Sequence, residues 1–431
     1  MLKSQKCVWV LLAACSLVAG CRETIVPQGE PEPGERVYTG CIPQNPDHVP
    51  QFYLDLPEGW DLDKIQKGVW TENCSIRIQA SENGAESTVF TAQEAKVKAH
   101  GNSTLKSYPK KPLTVNLSQQ ANFLGTGKTK HWVLLANWMD RTLLRNDVTF
   151  ELARHTSLEW TPSGTFVELY VNGEYRGIYW LGEKVHAEGS HFKCDYFYSY
   201  DTSDREEHDF DTQHGHWKKS TAVGGIPVEL KSPDRDDYTP VQFNSILMQA
   251  KSALYSVEDA IMRGDKPSTV MDMNTLCDFY LIQEVCSNGE TQFPKSTFLY
   301  YREGKMYWGP VWDFDYGTFT PERHGLPLKS ALYYYVLWTN PEFKNHLKHR
   351  WSILKPIFKK TVPYIDQRAA FIREAEKRNH EMWPCYPNPL SEDPSGLVNG
   401  DELLSFDEAV ARLKQSLLDR IEELDLEINR L

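Results

Sequence analysis

The sequence predicts an α+β fold, β-rich in its N-terminal part and mainly helical in its C-terminal part. Three observations carry this. From Val49 to Leu117, short alternating apolar and polar runs are separated by turn residues. Asn172-Gly173 sits between two apolar runs, a strong hairpin signal. From Pro240 onward apolar residues recur at helical spacing, ending in a stripe of Leu413, Leu417, Leu418, Ile421, Leu424 and Ile428. Composition agrees: 40% of the 431 residues are hydrophobic and 12% aromatic, enough for a sizeable core and against disorder over most of the chain. A net charge of −12 argues against a general nucleic-acid binder, which needs a basic face.

The chain opens on a targeting signal. Lys3 and Lys6 precede an apolar run, Val8 to Ala19, too short for a comfortable membrane span. It ends in Leu17-Val18-Ala19-Gly20-Cys21, which resembles a bacterial lipobox, with residues 1–20 as signal peptide and Cys21 as the lipidated residue. An ordinary secretory signal followed by a chance Cys is the alternative. The lipobox reading puts the protein in the bacterial cell envelope, on the outer membrane or cell surface, held by lipid and not by a transmembrane helix. Residues 21–48, rich in Pro, Gly and Glu, form a flexible tether. Of nine cysteines, Cys41, Cys74, Cys194, Cys277, Cys286 and Cys385 lie beyond Cys21. An exported location permits disulfides, but spacing gives no pairing and no zinc motif.

Residues 49–185 form the β-rich N-terminal lobe. Gln51–Leu56, Ser75–Gln79 and Ser87–Phe90 are its first strands. Lys96–Leu117 is strand, turn, strand around Gly101-Asn102-Ser103-Thr104, with Lys110 and Lys111 beside it. Small residues and two ammonium groups at a turn can hold a phosphate, or can be a solvated turn with surface lysines; the spacing is not that of a Walker loop. His131–Asn137 is a buried strand. Asp140 is placed to cap a helix over residues 139–156, which carries Arg145, Asn146 and Glu151. Thr165–Leu181 is the Asn-Gly hairpin, followed by Glu183-Lys184.

Residues 186–431 form the mainly helical C-terminal lobe. Residues 200–222 are a polar excursion whose His208, His214 and His216 can ligate a metal or simply belong to a loop. Val228–Lys231 is a short strand. Helices are expected over 240–263, amphipathically over 272–286 up to a turn at Asn288-Gly289-Glu290, over 341–360, 363–379 and 406–431. Among them, Phe298–Trp308 is a hairpin with Glu303-Gly304 at its tip. It delivers Asp313 and Asp315 of the stretch WGPVWDFDYGT to an edge, where hard oxygen ligands can meet a cation. Standing alone, Asp-Phe-Asp also closes an ordinary acidic turn.

Together these stretches resemble the CotH kinase family, the spore-coat-protein-H group of atypical secreted kinases. The resemblance runs in order through KAHGNSTLKSYPKKPLTVNL, LLANWMDRTLLRNDVTFELAR, LYVNGEYRGIYWLGEKV, IQEVCSNGETQFPKSTFLYYREGKMYWGPVWDFDYGTF and FDEAVARLKQSLLDRIEELD. It implies an atypical protein-kinase-like fold, ATP as cofactor with Mg²⁺ or Mn²⁺, and a secreted or surface protein as substrate. By position Asp313 resembles the metal-binding aspartate, with Asp315 and Asn288 as further candidate ligands. Glu290 stands where the family commonly has a catalytic Asp, and His100 where it often has Arg. Lys110 or Lys111 is the candidate phosphate-contacting lysine, Lys295 flanks Glu290, and Arg145 or Glu183 completes the charge network. The chemistry implied is positioning and charge neutralisation around a transferring phosphoryl group.

Two other functions compete. One is a non-catalytic cell-surface module for glycans or envelope proteins on the same fold. The other is a hydrolase using Asp313 and Glu290 as paired carboxylates. Convergence of Asp313, Glu290 and a lysine on one cleft favours transfer; splayed carboxylates on an open face favour the binding module.

Overall fold

The computed structural model describes residues 37–38, 40–186, 192–200, 216–218, 226–292, 294–321, 323–389, 391 and 394–431. The signal segment, Cys21, most of the tether, His208 and His214 lie outside these residues.

The first half is a barrel. Its strands are β2 (Gln51–Asp55), β3 (Thr71–Glu82), β4 (Ala85–Ala99), β5 (Leu113–Ala121), β6 (Thr129–Leu135), β7 (Gly164–Val171) and β8 (Glu174–Glu183). They run in the order β5-β4-β3-β2-β7-β8-β6, and β5 pairs with β6 to close the ring; the two-residue β1 (Val37–Tyr38) adds to β5 from outside. The hairpin expected at Asn172-Gly173 joins β7 to β8, with both residues at positive φ. A closed seven-stranded barrel is not the sheet of an ordinary protein kinase. Closure leaves those seven strands no free edge, which protects them from mispairing.

Side-chain alternation explains how the barrel carries two cores. Trp132, Leu134, Val167, Leu169, Tyr179 and Leu181 point into the barrel. Their neighbours Val133, Leu135, Phe166, Ile178 and Trp180 face the second half of the chain. Strands β6 to β8 are thus covered on both faces, which is why Trp132 to Ala136 is a continuous apolar run. Trp180 fits only because glycines flank it: a Cβ at Gly164 or Gly182 would stand 2.0 Å from its ring.

The second half is helical around a five-stranded antiparallel sheet. That sheet orders β10 (His216–Lys218), β11 (Pro227–Ser232), β9 (Tyr196–Tyr200), β12 (Thr297–Arg302) and β13 (Lys305–Trp308). The hairpin β12–β13 turns through Glu303-Gly304 as the sequence predicts; sequence reading missed β9, an aromatic run, and β10, which puts His216 on a strand paired with β11 where a loop was expected. The helices are α1 (Ser103–Ser107) and α2 (Arg145–Arg154) in the barrel half, then α3 (Pro240–Met262), α4 (Met273–Val285), α5 (Tyr334–Leu337), α6 (Pro341–Lys359), α7 (Val362–Met382) and α8 (Phe406–Asn429).

Two helices differ from expectation. Asp140 is not the cap: the N-cap is Leu144, which makes no side-chain cap bond, and the helix starts at Arg145 and not near Met139; the Asp140 carboxylate instead accepts from the Arg145 amide at 2.8 Å from within the preceding turn. Residues 140–144 form a turn, with Leu143 at positive φ. Helix α4 is capped by Asp272, whose carboxylate accepts from the Thr275 amide at 2.8 Å. It is buried nearly all round and not amphipathic, because α6, α8 and β13 all pack on it. Its two acids are neutralised inside: Asp278 takes a bidentate pair from Arg350 at 2.7 and 2.6 Å, and Glu284 takes Arg420 of α8 at 2.6 Å. The six cysteines within the described residues are all free thiols. No helix among those residues is long and apolar enough to cross a membrane.

Candidate active site

A cleft of about 860 Å³ opens between the barrel and the five-stranded sheet. One end is acidic. The chain leaving β13 passes Val311 and Trp312 and reaches Asp313 at φ 69°, a left-handed conformation that is uncommon outside glycine and marks stored strain. Asp313, Asp315 and Glu290 all line the cleft with Lys295 and Ser296. Ser296 donates to Asp313 Oδ2 at 3.2 Å. Burial pushes the Asp315 carboxyl well above the usual carboxylate range, and the charges of Asp313, Asp140 and Glu290 push it the same way. Burial also raises Asp313, while Ser296, Asp315 and Lys295 pull it partly back. Asp315 is buried and Asp313 half-buried, and two desolvated carboxylates side by side repel unless a proton or cation lies between them. Lys295 pairs with Glu290 at 3.6 Å.

The loop carrying the acids is held from behind. The Phe314 amide donates to Asn146 at 2.7 Å, and Asn146 donates to Asn137 at 3.1 Å. Arg145, buried, donates through Nε to the Thr318 carbonyl at 3.1 Å and pairs with Asp140 and, at 2.6 Å, Asp401.

The other end of the cleft is basic. Lys98 and His100 project from the end of β4, Lys184 follows β8, Lys231 comes from β11 and Lys67 from the loop before β3. Lys67 donates to Asn102 and Lys231 pairs with Glu229 at 2.6 Å. Burial, with Lys231 and Lys98 nearby, lowers the Lys184 ammonium to about 8. Burial and the surrounding lysines push His100 down to about 3, so this ring stays neutral at physiological pH. It donates to or accepts from Thr114 at 3.0 Å and meets the Trp312 ring edge-on. Gly101, Asn102 and Thr104 of the predicted turn also face this cleft.

The structure therefore gathers Asp313, Asp315, Glu290 and Lys295 as the sequence suggested, and treats the other candidates differently. Lys110 lies at the cleft wall, but its ammonium donates inward to the carbonyls of Ala136 and Ile178 and to Asn379. Lys111 donates to the carbonyls of Leu105 and Tyr108, both at 2.5 Å, and does not line the cleft. Glu183 points away: its carboxylate accepts from the Ser163 amide at 3.4 Å, and burial raises it to about 7. Asn288 is buried behind Glu290, accepting from the Glu290 amide at 3.1 Å and donating to Gln283 at 2.8 Å. Arg145 acts on the acidic loop and not on the cleft. Lys67, Lys98, Lys184 and Lys231 are cleft lysines that sequence reasoning missed. The available signal was strand alternation: Lys98 and His100 share the face opposite Val97 and Ala99, and Lys184 faces opposite Glu183.

Among the described residues, no three His, Cys, Asp or Glu side chains form a closed metal cage. Mg²⁺ does not need one, since it is ordinarily held by one or two carboxylates, waters and substrate phosphates. The paired acids of the Asp-Phe-Asp loop, one buried and one half-buried at the cleft, fit that demand.

The family model for CotH kinase protein matches residues 97–423, well over half of the chain, and the protein belongs to the CotH kinase family. No match was found among curated proteins.

Proposed function

We propose that this CotH-family protein is an exported, lipid-anchored kinase that transfers phosphate from ATP to Ser or Thr of secreted or surface proteins. The observation that carries the reading is the polarity of the cleft, with Asp313, Asp315 and Glu290 at one end and Lys98 and Lys184 at the other. A triphosphate with a divalent cation needs both ends at once. Asp313, with Asp315, would hold Mg²⁺ or Mn²⁺, which when bound neutralises charge on the phosphate oxygens. Lys98 and Lys184 would hold the phosphates, with the Gly101–Thr104 turn alongside. Glu290 would accept the hydroxyl proton of the acceptor, and Lys295 orients its carboxylate. Glu290 carries one methylene more than the family's usual Asp; its pairing with Lys295 at 3.6 Å supports a longer carboxylate held at the cleft for this role. The convergence of Asp313, Glu290 and lysines on one cleft favours transfer over a passive binding module. Anchoring through Cys21 rests on the lipobox.

The test is calorimetric binding of ATP to the full chain in detergent, with and without Mg²⁺ or Mn²⁺, beside Asp313→Ala. Metal-dependent binding that the variant loses is the expected result. Unchanged ATP affinity in Asp313→Ala, or no binding by the wild type, would remove the kinase reading and turn attention to glycan and envelope-protein partners.

A further inference from the structure

The acidic loop is gripped by a segment more than 80 residues further along the chain. Asn399 is buried, and its side-chain amide is fully engaged. Its Oδ1 accepts from the Gly317 amide at 2.7 Å. Its Nδ2 donates to the Asp315 carbonyl at 3.0 Å and to the Met139 carbonyl at 3.0 Å. One side chain thus brackets Asp315 on the carbonyl of that residue and the amide two residues on, and ties both to the barrel half through Met139.

The segment bearing Asn399 is itself fixed. The Glu402 carboxylate accepts from the backbone amides of Val398, Asn399 and Asp401, at 2.5, 2.8 and 3.0 Å. Asp401 pairs at 2.6 Å with Arg145, whose Nε holds the Thr318 carbonyl at 3.1 Å. The loop from Asp315 to Thr318 therefore has Asn399 on one side and the Asp401–Arg145 pair on the other. Asn399 and Asp401 come from the lead into α8, which is anchored in turn by Arg420 on Glu284, and Arg145 opens α2.

A left-handed, half-buried Asp313 beside the buried carboxyl of Asp315 is a strained arrangement, and it persists only where its surroundings over-determine it. Groups that hold metal-binding carboxylates in place usually matter to metal affinity by about 10- to 100-fold when removed. We propose that Asn399 is a positioning residue. It sets the Asp313–Asp315 pair for the cation, so the lead into the last helix is a working part of the active site. This rests on the metal-dependent reading above.

The test uses the full chain in detergent and Asn399→Ala. Two quantities are read: hydrogen exchange of the peptide covering 311–320, and Mn²⁺ affinity from the paramagnetic signal of the free ion. Faster exchange at 311–320, unchanged exchange in the β12–β13 hairpin, and about tenfold weaker Mn²⁺ binding are expected. A folded variant that binds Mn²⁺ within twofold of wild type, or whose 311–320 exchange is unchanged, overturns the proposal. If Asn399→Ala does not fold, Asn399→Asp is judged by the same readings; it keeps an acceptor for Gly317 and loses the donors to Asp315 and Met139. A wild type that binds no Mn²⁺ sinks the kinase reading separately. The grip on the loop then stands or falls on exchange alone.

Discussion

Replacing Arg145 with Leu removes the cation between two carboxylates that have no exposure, Asp140 and Asp401. The two are not left equally badly off. Asp140 keeps three donors, the Thr142 amide at 2.9 Å, the Thr142 hydroxyl at 2.7 Å and the amide of residue 145 at 2.8 Å. Asp401 keeps none at its carboxylate, whose Oδ1 is already without a partner. Breaking one side of a buried ion pair costs about 3–5 kcal/mol, and here most of it falls on Asp401. That is a large share of the roughly 5–15 kcal/mol that holds a protein together. Adding Asp401→Asn removes the stranded charge and recovers about 2 kcal/mol, a coupling of the size seen for residues in one network. pH gives a further check. Burial raises Asp401 even with Arg145 present, which lowers it. Without Arg145 its folded-state pKa rises further above the unfolded value. A carboxyl so shifted destabilises the fold as pH rises through that folded value and is harmless below the unfolded one. The deficit of Arg145→Leu therefore shrinks as pH falls. Urea unfolding of wild type, both single variants and the double variant at pH 5 and pH 8 measures all of this. A deficit under about 1 kcal/mol, no recovery in the double variant, or a deficit that grows in acid would refute the reasoning.

Two further outcomes are expected. Lys184 sits at about 8, so ATP affinity falls as pH rises from 7 to 9 and the ammonium is lost; Lys184→Arg, always charged, flattens that profile. A profile unchanged by the Arg substitution would take Lys184 out of phosphate binding. Gly182→Ala places a Cβ 2.0 Å from the Trp180 ring; overpacking of this kind costs about 1–3 kcal/mol, read as a lowered urea midpoint, and a variant as stable as wild type would show that Trp180 can move aside.

Local patterns made much of the fold legible. Asn172-Gly173 and Glu303-Gly304 fix their hairpins because a two-residue turn with both φ positive depends on its own residues alone. The helix Phe406–Asn429 announces itself by an apolar stripe, and the structure adds a Ser405–Glu408 capping box at its start. The misreadings arose where tertiary contacts outweigh local preference. Helix α4 lost its expected amphipathicity because Arg350 and Arg420 come from α6 and α8 to neutralise Asp278 and Glu284. The helix after Asp140 begins late because that carboxylate is drawn into the Arg145 network.

At the site the division is by distance along the chain and by parity. Asp313, Asp315, Glu290 and Lys295 lie within one stretch of 26 residues around a hairpin, so a single motif exposed them together. The basic end is assembled from β4, the end of β8 and β11, which no window of sequence brings together. There the choice between neighbours turns on which face of a strand each occupies. Glu183 and Lys184 are adjacent, yet one accepts from Ser163 and the other faces the cleft. The ammonium of Lys110, beside the promising turn, is committed to Ala136, Ile178 and Asn379. A charged residue next to a motif is thus a poor guide to the site, while a residue two places along the strand, as Lys98 is from His100, is a good one. The same logic accounts for Asn399: its role depends on reaching two carbonyls and an amide that belong to chain segments far from its own, and nothing in Asn-Gly-Asp-Glu by itself distinguishes that from an ordinary turn.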